Sequence, residues 1–177
     1  TSLPFRVLLL RSLSIAIASL VIPLGFRVAR RVFPDAVTAL GVVVVVAAMP
    51  GLMIHIARVG NDCLAVAVFT LLLAAALEGW RAVGWIAAVG LVTKAYFVTA
   101  LPLLFWVRRG WRQAAGIVGP VVAIAGWWFV RNRQLTGSWS GHKDEAALRD
   151  IPVAELLSYL PRVDWRNAAD SIFFSHI

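Results

Sequence analysis

The sequence predicts an all-α, polytopic bundle of transmembrane helices, and three observations carry that expectation. Hydrophobic residues make up 60% of the 177, against about 45–50% in soluble domains, and the mean hydropathy is +0.82. Several apolar runs approach the ~20 residues needed to cross a hydrocarbon core. The arginines fall mostly at the seams between those runs, where topology determinants sit. In lipid only helices and closed barrels satisfy their own backbone, and runs of this length read as helices.

The first run covers residues 5–26 and contains Pro23. The second covers 36–54, and its valines at 42–46 would read as strand in a soluble protein. The third, 64–77, is expected to start at Asn61 as an N-cap. The fourth, 82–107, is interrupted by Lys94. The fifth, 114–130, offers Gly116, Gly119, Pro120 and Gly126 as close-packing faces. Beyond Gln134 the chain turns polar, and residues 134–177 are expected as an extracytoplasmic loop segment with short helices near 144–150 and 153–159, the latter between Pro152 and Pro161. The start at Thr1 and the apolar turn of 171–177 read as the ends of a fragment.

Lys94 decides the threading. Arg27, Arg30 and Arg31 follow the first run, and Arg108, Arg109 and Arg112 follow the fourth. Both basic segments belong on the cytoplasmic side. One helix over 82–107 would put them on opposite sides; two short helices turning at Lys94 put them on the same side. The sequence therefore favours a broken hairpin, with six helices at about 5–28, 36–56, 61–79, 80–93, 95–109 and 112–131 forming a bundle over 1–133. Each hairpin arm, about 14 residues or roughly 21 Å, needs protein or a water-filled cavity around its tip.

The net charge of +8 is uneven: residues 1–133 hold thirteen Lys/Arg and three acids (Asp35, Asp62, Glu78), and 134–177 hold four against six. A basic total suggests nucleic acid, but seam arginines argue against a nucleic-acid partner and for a lipid bilayer. A single cysteine, Cys63, excludes an intramolecular disulfide and a Cys-based zinc cluster. His55, His142 and His176 are too scattered to argue a metal site. No phosphate-binding glycine loop, nucleophile elbow or zinc-protease helix motif is present.

The polar groups left are the candidates, each with two readings. Asn61–Asp62 is an N-cap and a helix-dipole acid, or an outer-face acid that places a sugar hydroxyl, holds a divalent cation (Mg or Mn), or pairs with Arg58. Lys94 snorkels to the interface, or holds an anion; an ammonium at bilayer depth costs roughly 2.5–3.5 kcal/mol on insertion scales. Arg131 and Asn132, after the interfacial pair Trp127 and Trp128, contact head groups generally or one anion specifically. Arg11, inside the first helix, has the same character.

The order of these features resembles a known family. An Arg in the first helix precedes a basic loop. Pro50-Gly51 is followed by Asn61-Asp62, then by Gly90-Leu91-Val92-Thr93-Lys94, and then by Trp127-Trp128-Phe129-Val130-Arg131-Asn132 leading to Thr136-Gly137. Together they resemble the C-fold membrane glycosyltransferases, and within them the bacterial branch related to protein mannosyltransferases and lipid A aminoarabinose transferase. The resemblance implies a multi-pass protein of the bacterial inner membrane that transfers a sugar from a polyprenyl-phosphate carrier to an extracytoplasmic acceptor. It implies that Lys94 and Arg131 face the carrier phosphate, and that Asp62 falls where the family often has an acidic motif. The family's main catalytic acid lies in a first outer loop that would precede Thr1, so the fragment alone is expected to be inactive. A transporter or lipid flippase fragment, with its substrate site at a broken helix, is the other reading.

Overall fold

The computed structural model describes residues 3–57, 60–139 and 152–167. Every regular element among them is helical. α1 (Leu3–Ser19) and α2 (Val21–Val32) form one continuous helix of 30 residues. Pro23 sets the joint between them. It has no N–H for the Ser19 carbonyl and its ring crowds that carbonyl; the turn tightens, and the Leu20 N–H bonds the Ile17 carbonyl at 3.2 Å.

α3 (Ala36–Ala47) starts at Asp35, whose carboxylate accepts the Thr38 N–H at 2.7 Å and the Thr38 hydroxyl at 2.8 Å. Those bonds to the charged form hold the Asp35 carboxyl below its ordinary range. The five valines at 42–46 lie inside this helix, not in a strand. The second apolar run is not one helix: it breaks at Ala48–Met49 and resumes as α4 (Pro50–Ala57). Pro50 lacks the N–H that would continue the ladder and suits the first position of a new helix.

α5 (Asp62–Glu78) is the hub, with α1, α2, α4, α6 and α7 packed around it. Its small buried residues Ala65, Ala67, Ala74, Ala75 and Ala76 let those neighbours approach. Gly79 ends it at φ +82°, and the N–H groups of Gly79 and Trp80 both return to the Ala75 carbonyl. α6 (Val83–Thr93) follows, then Lys94 in extended conformation, a 3₁₀ turn (Ala95–Thr99) and α7 (Ala100–Val107). α8 (Trp111–Val121), a π-helical segment (Val122–Gly126) and α9 (Trp127–Thr136) make one helix of 26 residues. The slip into π register comes just after Pro120, which withdraws one N–H from the ladder. α10 (Val153–Tyr159) sits between Pro152 and a 3₁₀ turn over Leu160–Arg162. The helix expected near 144–150 lies outside the described residues.

Two helices, Leu3–Val32 and Trp111–Thr136, are long and apolar enough to cross a membrane; Ala36–Ala47, Val83–Thr93 and Ala95–Val107 are apolar but shorter. The main core gathers Leu72, Phe97, Leu104 and Ile117 between α5, the 94–107 arm and α8. Its tightest seam is α6 on α8, where a Cβ at Gly84 would lie 2.1 Å from the Gly116 carbonyl oxygen. The expected close-packing faces are thus corrected. It is Gly84 of α6 that must lack a side chain, against the Gly116 backbone, whereas a Cβ at Gly116 or Gly119 would meet nothing within 4 Å and one at Gly126 only Val122 of its own helix. Outward faces are strongly apolar: Leu8, Val37, Trp106 and Val122 each keep more than half of their surface exposed.

Candidate functional site

A broken helix creates the site. At Lys94 the backbone leaves the helix (φ −150°, ψ 130°), so the last carbonyls of α6 lose their partners within the ladder. Asn61, just ahead of α5, supplies one replacement: its side-chain amide donates to the Thr93 carbonyl at 3.0 Å. The helix starts where expected, with Asn61 at its N-cap position, but the capping bond is not made, because the Asn61 amide is committed across to α6. One residue on at each strand of this contact, Lys94 Nζ lies 2.8 Å from Asp62 Oδ1. Two sequence motifs 32 residues apart are therefore clamped by an amide–carbonyl bond and an ion pair side by side.

The chain does reverse at Lys94. Phe97 folds back so that its ring fills the space beside Gly90, where a Cβ would be 2.2 Å from the ring. At the far end of the arm, Arg108 Nη2 donates to the Trp80 carbonyl at 2.9 Å, ahead of α6. With residues 80 and 108 in contact, Lys94 is the tip. Phe69 and Tyr96 brace the turn, with ring centroids 5.6 and 5.3 Å from Phe97.

Other candidates are placed by register. Arg27 pairs with Glu78 at 2.5 Å, and the α1–α2 helix runs alongside α5 in the same direction. Counting sixteen residues back along each helix puts Arg11 level with Asp62. α6 and α8 also run parallel from the Gly84–Gly116 contact, which puts residue 126 level with Lys94 and Arg131 about a turn and a half beyond it. Arg11, Asn61, Asp62, Lys94, Arg131 and Asn132 thus share one end of the bundle. Direct contact joins the 61–62 pair to the 93–94 pair. Arg11 and Arg131 are exposed, and Asn132 holds its Nδ2 buried without a partner. Arg58 lies outside the described residues, so its pairing with Asp62 has no structural account, and His142 and His176 lie outside them too.

The opposite end gathers the basic seams. Glu78 accepts from Arg27 and, at 3.0 Å, from the indole N–H of Trp80; Arg108 reaches Trp80 from the other seam. The two arginine segments expected on one side are on one side of this molecule.

Among the described residues no group of three His, Cys, Asp or Glu gathers, and the Lys94 ammonium sits on one of the two Asp62 carboxylate oxygens. What the arrangement can do is hold Lys94 as an oriented, half-exposed cation, its side chain 33% accessible.

A further feature runs along α1, α2, α3 and α4: an apolar cavity of about 500 Å³ with Ile22, Gly25, Val43, Met53 and Leu73 in its wall. Sequence reasoning did not find it, because its wall is drawn from five helices, α1 to α5, whose meeting no local pattern encodes. The Gly84 and Gly90 contacts were open to it, since Gly84, Ala87, Ala88 and Gly90 cluster small residues on one short helix. No family model, curated protein or solved structure matches the chain.

Proposed function

We propose that this chain is part of a membrane glycosyltransferase that takes a sugar from a polyprenyl-phosphate carrier on the extracytoplasmic face. One observation carries the reading: Lys94 at the broken helix is oriented by Asp62 at 2.8 Å, at the bundle end that also holds Arg11 and Arg131. A cation fixed before the reaction stabilises charge that develops as a phosphate departs, and costs no reorganisation at that moment. Asp62 is then a positioning residue for Lys94. The outward apolar surface suits a bilayer as solvent, and the two long apolar helices are consistent with it. The cavity beside α1–α4 is large and apolar enough to take part of a prenyl chain. The six-crossing bundle, the inner-membrane location and the extracytoplasmic side of the site belong to the same proposal.

The test uses the full-length protein. Lys94→Ala and Asp62→Ala should each abolish transfer from a radiolabelled polyprenyl-phosphate sugar while membrane insertion stays intact. Unchanged transfer in both overturns the assignment. The flippase or transporter reading draws on the same extended backbone at Lys94, since interrupted helices also mark transport sites. It is favoured instead if the purified protein in vesicles moves the carrier lipid across the bilayer without cleaving the sugar.

A further inference from the structure

The end of the bundle opposite Lys94 holds a cavity of about 500 Å³, lined by Gly79, Trp80, Arg81, Arg108, Arg112 and Gln113 among others. Three arginines thus line one space, and among the described residues no acidic side chain lines it. Glu78, the nearest acid in sequence, is committed to Arg27 and Trp80. Arg108 is held by backbone alone, donating to the Trp80 carbonyl at 2.9 Å and weakly to the Ala75 carbonyl at 3.4 Å, and its Nε is buried with no partner. Arg112 lies over the Trp111 ring at 5.4 Å. Among the described residues neither Arg81 nor Arg112 has an acidic partner.

Three like charges around a concave space repel one another unless an anion joins them, and guanidinium forks match phosphate oxygens best. The start of α8 opens on the same space through Arg112 and Gln113, behind Gly110 at φ +118° and with no side-chain cap. Its free N–H groups add to the field the arginines make. The volume is that of a small-ligand pocket, and basic pockets between helices on the cytoplasmic side are where anionic head groups bind.

We infer that this cavity is a phosphate-binding site, formed by Arg81, Arg108 and Arg112 and distinct from the Asp62–Lys94 site at the other end. Its ligand is a phosphate oxyanion, carried on a phospholipid head group or free in solution. The site does not rest on the transferase reading, and its failure would leave that reading untouched.

The test compares the full-length protein with Arg81→Gln/Arg112→Gln. Both side chains are exposed and without acidic partners, so the variant keeps its fold, which far-UV circular dichroism checks; Arg108 is left alone because it bonds the backbone. Isothermal titration with inorganic phosphate in neutral detergent reads the soluble source. Native mass spectrometry, after reconstitution in phosphatidylcholine with or without phosphatidylglycerol, reads the lipid source. Binding of either probe that weakens roughly tenfold or more in the double variant supports the site, and the probe that binds identifies the source. No binding of either probe, or equal binding by both proteins, overturns it.

Discussion

Charge reversal across the clamp separates a structural ion pair from a functional cation. At 2.8 Å two unit charges attract by about 1.5 kcal/mol in water and about 6 kcal/mol at an effective dielectric of 20. Both side chains keep about a third of their surface accessible, 33% for Lys94 and 37% for Asp62. Water therefore screens the pair, and exposed pairs measure only about 0.2–1 kcal/mol. The expected coupling is about 1–2 kcal/mol, between these limits. It is read from a double-mutant cycle of Asp62→Asn, Lys94→Met and both, by reversible denaturation of the full-length protein. The swap Asp62→Lys/Lys94→Asp should recover most of the stability lost in either single variant. It should not recover transfer, which falls by about a hundredfold or more when a preorganised donor to a departing charge is lost. Coupling below about 0.3 kcal/mol would show that the clamp is not held in solution. Full transfer by the swapped protein would reduce Lys94 to scaffold and refute the phosphate role.

Two further outcomes follow from the packing and the cap. Gly84→Ala puts a Cβ 2.1 Å from the Gly116 carbonyl, so α6 and α8 must separate by more than an ångström; the expected cost is about 1–3 kcal/mol, read as a lower denaturation midpoint, while Gly119→Ala, with nothing within 4 Å, stays near wild type. Asp35 is held below its ordinary range by Thr38, so its stabilisation is present above the ordinary carboxylate range and is lost as pH falls through the depressed value; Asp35→Asn should flatten that acidic limb of the Tm–pH curve and leave other pH regions parallel.

How much of this was legible in the sequence differs by kind of interaction. The Lys94 turn was, because an ammonium inside an apolar run and arginines at both ends leave few threadings. The clamp was only half legible. Asn61 and Asp62 announce a helix start, but a capping residue and a cross-helix donor have the same side chain; only the carbonyl orphaned at Thr93 decides between them. The break at Pro50 was open to reading from proline chemistry, yet the run on either side is so uniformly apolar that hydropathy spans it without a mark. Arg27–Glu78, 51 residues apart, and the arginine cavity depend on which helix ends meet, and no local pattern encodes that.

The separation of the two ends gives the threading its sharpest consequence. α5 joins them with 17 residues, roughly 24 Å of rise, short of the ~30 Å hydrocarbon core. If Arg27, Arg31 and Arg108 mark the cytoplasmic interface, Lys94 cannot reach the opposite interface fully. It must lie slightly below the surface, in a water-filled recess or under a thinned leaflet, because non-helical backbone at depth is tolerated only there. A single cysteine tests this. Cys63 is buried, and Cys63→Ala provides the background once its unchanged denaturation midpoint is checked. In that background Lys94→Cys should react with a small membrane-impermeant thiol reagent added from the extracytoplasmic side, and Gln113→Cys, in the opposite cavity, only from the cytoplasmic side. A larger reagent should label position 94 more slowly than a small one, as a recess requires. Labelling of both positions from one side would mean that the arms do not carry the chain across and back, and the same-side placement of the arginine seams would then have no topological meaning.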